Sequence, residues 1–151
     1  MRSYSILFSL VFGIGTVFGQ APEIEIDLTA LEVLSQGQTG TCWSFSTTSF
    51  LESEVFRISG ESHDLSEMAP VRVIYPEKAE RFIRFQGKHQ FGPGGLAHDV
   101  IHAASAYGLV PQDVYPGGQN PEAYDHGELD STLGEMVRSI VKQTGSISPE
   151  S

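Results

Sequence analysis

From Cys42 onward, apolar residues recur at helical intervals. Trp43, Phe50, Leu51, Val55, Phe56 and Ile58 fall at spacings that one helix can carry, and Gly60 is a natural stop. Upstream, Glu23-Ile24-Glu25-Ile26-Asp27-Leu28 alternates acidic and apolar residues, the period of a short extended segment with one face buried. Between the two, Gln36-Gly37-Gln38-Thr39-Gly40-Thr41 carries two glycines and predicts a tight loop, so Cys42 stands where a loop meets a helix. Asp64-Leu65-Ser66-Glu67 predicts a second helix entry, but Pro70 and Pro76 predict that the segment beyond it breaks into short helical pieces. One such piece is Lys78 to Phe85, ending before Gly87. Phe91 to Gly95 is a loop, Ala97 to Tyr107 a helix of small residues stopped by Gly108, and Tyr115 to Pro121 another loop. A last amphipathic helix runs from about Asp130 to Lys142, with Leu129, Leu133, Met136, Val137, Ile140 and Val141 on one side. The polar tail Thr144 to Ser151 is expected to fray, and no internal repeat is present.

The first nineteen residues read differently from the rest. Arg2 gives a positive start, Ile6 to Phe18 an apolar stretch, and Val17-Phe18-Gly19 a small-residue exit, which together predict a signal peptide over residues 1–19. The apolar run is shorter than the ~20 residues a spanning helix needs. The expected product starts near Gln20 and is secreted or periplasmic, without a membrane as partner. Residues 20–143 are then one domain.

Charge narrows the partners further. Nine basic residues face nineteen acidic ones, a formal charge of −10 that repels phosphate backbones and argues against nucleic acid. The single cysteine cannot form a disulfide within the chain, so Cys42 is either an inert core residue or free for a reason.

Its surroundings favour a reason. A cysteine attacks through its thiolate, and the unpaired N–H groups of a helix N-terminus favour that anion. Attack on a carbonyl also needs donors for the oxyanion that forms, and the side-chain amide of Gln36, six residues earlier, can supply one. Other features read more simply. Trp43, Phe45 and Phe50 have the spacing of core aromatics, and Glu77, Lys78, Glu80 and Arg81 that of a solvated helical face. His98 and His102 share a helical face, as in metal-binding helices, but Asp99 is not the glutamate of that motif and no third ligand is evident. Two ordinary helix histidines and no metal are expected.

The run Gln36-Gly37-Gln38-Thr39-Gly40-Thr41-Cys42-Trp43-Ser44-Phe45-Ser46 resembles the nucleophile segment of papain-like cysteine peptidases. That segment reads glutamine, glycine, two variable residues, glycine, a small residue, then the catalytic cysteine and a tryptophan. Every defining position matches. The resemblance implies Cys42 as nucleophile, Gln36 as oxyanion-hole residue and Trp43 as the packing partner beside the site. Asp64-Leu65-Ser66-Glu67 is similar to the family's Leu-Ser-Glu segment, and Gly94-Gly95 to the glycine pair that lets substrate backbone approach. Gly108-Leu109 to Tyr115-Pro116 continues the order, so the likeness covers roughly residues 32 to 118. Thr39 stands where papain itself carries a disulfide cysteine, and no cysteine precedes Gly94-Gly95. The disulfide-free branch, bleomycin hydrolase and aminopeptidase C, is therefore the nearer likeness, although its members are usually cytoplasmic. The implied fold is α+β of the papain type, represented mainly by the helical lobe. The implied function is hydrolysis of a peptide substrate through a thiol acyl-enzyme, with aminopeptidase action as one form of it and no cofactor.

In such enzymes the histidine and asparagine follow the cysteine by about 130–150 residues. Only residues 43–151 follow Cys42, so the β-rich lobe and both residues are expected to be missing. His63, His89, His98, His102 and His126 all fall in the region that builds the helical lobe, and none is expected to replace the absent base. Two other readings remain: a peptidase-like binding module without turnover, and a thiol redox protein, which would lack its usual second cysteine.

Overall fold

A computed structural model describes residues 30–118 and 123–144. The expected signal peptide, the alternating segment 23–28 and the tail from residue 145 lie outside the described residues. Those described form four helices: α1 (Cys42–Ser59), α2 (Met68–Arg84), α3 (Ala97–Tyr107) and α4 (Gly127–Thr144). The β component of the expected fold is reduced, among the described residues, to two isolated bridges, Gln38 with Asp125 and Leu65 with Pro111.

α1 begins where the loop turns. Gly40 takes a φ of 65°, after which the Thr41 carbonyl accepts the N–H groups of Ser44 (2.9 Å) and Phe45 (3.3 Å). It ends as expected at Gly60, which sits in the left-handed region and donates its N–H to Phe56 O (2.8 Å).

α2 overturns the expectation of short pieces. It runs unbroken through both prolines. Pro70 lies in the first turn, where its missing N–H has no intrahelical partner to lose. Pro76 lies inside the helix on its exposed side, and forfeits one backbone bond without breaking the turn. The entry is held by Ser66, whose hydroxyl accepts the Ala69 N–H (3.0 Å) and donates to Tyr115 O (2.6 Å).

α3 has the expected limits, and the Asp99 carboxylate accepts the Leu96 N–H ahead of its first turn (2.9 Å). α4 starts three residues before Asp130 because Asp125 accepts the Gly127 N–H (2.8 Å) and His126 O accepts that of Asp130 (2.8 Å). Thr144, expected in the tail, is the last residue of α4, its hydroxyl on Ile140 O (3.0 Å).

The helices pack around one core of Trp43, Met68, Val71, Ile74, Tyr75, Val100, Ala103 and Tyr124. α2 is central, touching the other three. Its Tyr75 hydroxyl donates to Asp130 of α4 (2.6 Å), and burial first, then that bond, raises the phenol above its usual range. Of the apolar side expected on α4, Val137 is buried, whereas Leu129, Met136 and Ile140 remain exposed. Phe50, expected in the core, is also exposed, at 60 %. No helix among the described residues is long and apolar enough to cross a membrane.

Candidate active site

Cys42 is the first residue of α1, and it is exposed. The loop that delivers it is held from within. Thr39 and Thr41 are buried and share a hydrogen bond between hydroxyls (2.6 Å), and Thr39 donates to the Gln36 carbonyl (2.9 Å). Two buried hydroxyls are thereby satisfied inside the turn that joins Gln36 to Cys42.

The same loop is held from outside by a segment more than eighty residues away. Gln38 N–H donates to Tyr124 O (2.8 Å), and His126 N–H returns the bond to Gln38 O (3.1 Å). The backbones come so close that a Cβ on Gly37 would lie 2.3 Å from Tyr124 O. Gly37, at a φ of 62°, is required there on both counts. Tyr124 is itself fixed by its hydroxyl on Pro116 O (2.6 Å) and by the edge of its ring against Phe45, with centroids 6.1 Å apart. Nothing in the local pattern around Tyr124 announces this role, which only the long-range pairing reveals.

Gln36 is partly buried, and its side-chain oxygen finds no hydrogen-bond partner among the described residues. The amide is thus not tied to the protein around it. Trp43 is buried and supports the glycine pair. Its indole N–H donates to Pro93 O (2.9 Å), and a Cβ on Gly95 would lie 2.6 Å from the ring. Among the described residues no backbone hydrogen bond engages the Gly95 N–H or carbonyl. The structure therefore brings Trp43, the residue after Cys42, against Pro93 and Gly95, with Gln36 on the loop leading in.

Lys78 departs from expectation. Rather than joining a solvated face, it is half-buried, and its ammonium donates to Gly92 O (3.1 Å) and Gly94 O.

Behind the site lies an acidic layer that the sequence did not announce. Ser44 donates to Glu67 O (2.5 Å), and Glu52 accepts the Leu65 N–H (2.7 Å). Both carboxylates are buried. Burial pushes Glu67 up to about 7, with Glu52 and Asp64 nearby adding to the rise, and it also raises Glu52. A cavity of about 530 Å³ opens on this side, lined by Leu34, Phe45, Glu52 and Glu67 among others, and it touches neither Cys42 nor the glycine pair.

No histidine hydrogen-bonds Cys42 among the described residues. His102 pairs with Glu77 (3.0 Å), His98 lies 3.5 Å from Asp99, His63 3.6 Å from Glu61, and His89 contacts Gln90 O (3.3 Å). The Nδ1 of His126 is buried without a partner. Nor, among the described residues, do three His, Cys, Asp or Glu side chains gather as a metal ion would require.

α1 thus presents an exposed cysteine at its first residue, followed by a buried tryptophan packed on a glycine loop. The sequence model described as papain family cysteine protease matches residues 25–126, and the chain belongs to that family. Aminopeptidase C of Lactococcus lactis subsp. lactis (strain IL1403) is 26 % identical over 139 residues, covering 82 % of this chain and 31 % of the relative. Aminopeptidase C of Lactococcus lactis subsp. cremoris is 24 % identical over the same span. Human cathepsin L2 is 32 % identical over 84 residues, covering 56 % of this chain and 22 % of the relative. The chain thus spans about a third of the length of the aminopeptidases it matches.

Proposed function

We propose that residues 30–144 form the nucleophile-bearing half of a cysteine peptidase site acting on peptides, with aminopeptidase action favoured by the likeness to aminopeptidase C. The observation that carries this reading is the exposed Cys42 at the head of α1, in a loop fixed at both ends and flanked by the Trp43–Gly95 contact. The Cys42 thiolate adds to the substrate carbonyl carbon, forming a C–S bond, and the carbonyl oxygen becomes an oxyanion. Donors for that oxyanion are the Cys42 N–H at the helix start and the untied Gln36 amide. Collapse breaks the C–N bond and releases the amine with a proton. Water then cleaves the thioester and restores the thiol. The free main chain of Gly95 offers a donor and an acceptor to an extended peptide.

Proton transfer in both halves needs a base and acid, and no described histidine reaches Cys42. The base therefore comes from polypeptide outside the described residues, in the manner of a second lobe. The absence of such a contact also favours a second reading, a peptidase-like module that binds peptides without turnover. Export through residues 1–19 belongs to the proposal too, and a Gln20 N-terminus on the mature product, read by mass spectrometry, tests it.

The deciding experiment compares residues 20–151 alone with the same residues joined to the C-terminal part of aminopeptidase C. Cys42-dependent peptide hydrolysis is expected only in the joined protein, with Cys42→Ala as control. Turnover by the short chain would make one of its own histidines the base and overturn the two-part site. No turnover in a folded joined protein would favour the binding module.

A further inference from the structure

The loop from Gly92 to Gly95 contains three glycines in four positions, a composition with high backbone entropy and little tendency to hold one shape. Two side chains nevertheless capture three successive carbonyls of it. Lys78 takes Gly92 O and Gly94 O, and the indole N–H of Trp43 takes Pro93 O between them. The two captors also touch, with the Lys78 ammonium 5.5 Å from the centroid of the Trp43 ring and 5.7 Å from that of Tyr75. On the other side of Trp43 in sequence stands Cys42. Direct contacts thus link indole, ammonium and glycine loop next to the cysteine in the chain.

We propose that Lys78 is a positioning residue of the site: its ammonium holds the Gly92–Gly95 loop against Trp43, so that Gly95 stands ready for a peptide beside Cys42. The assignment rests on the peptidase reading of Cys42 and Gly95. Its chemistry is that of a cation donating to carbonyls, which the donor-free methionine side chain of similar length cannot do. Burial lowers Lys78 from the usual lysine range, while Asp99 and Asp130 support its charge, so the half-buried ammonium is held at a cost that a merely solvated lysine would not bear. Lys78 touches neither a reacting atom nor the thiol, and its effect passes through the loop and the indole.

The test uses the full chain and two electrophiles. A dipeptidyl chloromethyl ketone alkylates Cys42 with help from the glycine wall, whereas iodoacetamide needs only the thiol. The ratio of the two rate constants is expected to fall about fivefold or more in Lys78→Met and to recover within about twofold in Lys78→Arg, which keeps a cation over both carbonyls. Trp43 is the only tryptophan, so acrylamide quenching of its fluorescence reports the same event, rising in Lys78→Met and not in Lys78→Arg. Circular dichroism checks the fold, and if Lys78→Met fails to fold, the donor-free Lys78→Leu carries the comparison. An unchanged ratio and unchanged quenching in a folded neutral variant would overturn the assignment. A wild-type chain with no preference for the peptidyl reagent would instead sink the peptidase reading, and the quenching comparison would then decide Lys78 alone.

Discussion

The two halves of α1 are built differently. In the first half Trp43, Ser44, Thr47 and Thr48 are buried, and Ser44 is bonded across to Glu67. In the second half only Glu52, at its start, is buried; Ile58 stands 74 % exposed, and the prominent tie beyond Glu52 is a surface pair within the helix, Arg57 to Glu54 at 2.7 Å. Such a solvent-screened surface pair adds little to stability. Both halves are equally helical, so helicity is not what fixes Cys42. Its position follows from the cross-ties of the first turn and of the loop before it: Thr39 to Thr41, Gln38 to Tyr124, Trp43 to Pro93.

Breaking the loop should have the largest effect. Gly37→Ala places a methyl against Tyr124 O and demands a left-handed φ from alanine, and is expected to cost about 3 kcal/mol or more in urea unfolding. A cost below about 1 kcal/mol would show that the loop yields without loss, and that Tyr124 does not clamp it.

The boundary between the two halves is acidic, and pH should probe it. Glu67 titrates at about 7 in the fold, against 4.5 for the free group, so the folded state holds the proton more tightly. Its contribution is fully present below about pH 4.5 and is lost as pH rises through about 7, a swing of at most about 3 kcal/mol that solvent screening reduces. Buried Glu52 pushes in the same direction. Urea midpoints should be higher at pH 5 than at pH 8 in the wild type, and Glu67→Gln should flatten the difference. An equal pH dependence in Glu67→Gln would remove Glu67 as its source.

The smallest effect belongs to the outer half. Ile58→Ser removes an exposed side chain and is expected to change stability by less than about 0.5 kcal/mol. A larger loss would mean that the far end of α1 is covered after all.

The path from Gln36 to Ser46 was readable residue by residue, because a loop that turns into a helix is a local event written in neighbouring glycines and small residues. The limits of α3 and the stop at Gly60 were readable for the same reason. Pro76 misled because a proline's cost is local while the packing that outweighs it is not: Val71, Ile74 and Tyr75 on the inner side hold α2 through the break. Lys78 misled because helical spacing places a residue on a face without telling which neighbour stands opposite.

The amino-acid order alone determined that a cysteine heads a helix behind a glutamine loop, and that a glycine pair stands far downstream at Gly94 and Gly95. It carried these because each depends on residues within a few positions of one another. The tertiary structure alone decided that Tyr124 pairs with Gln38, that Trp43 and Lys78 hold the glycine loop from below, and that Glu52 and Glu67 lie buried behind the site. Each of these joins distant segments of the chain, and such meetings depend on which helix faces pack together, a quantity that no local period encodes.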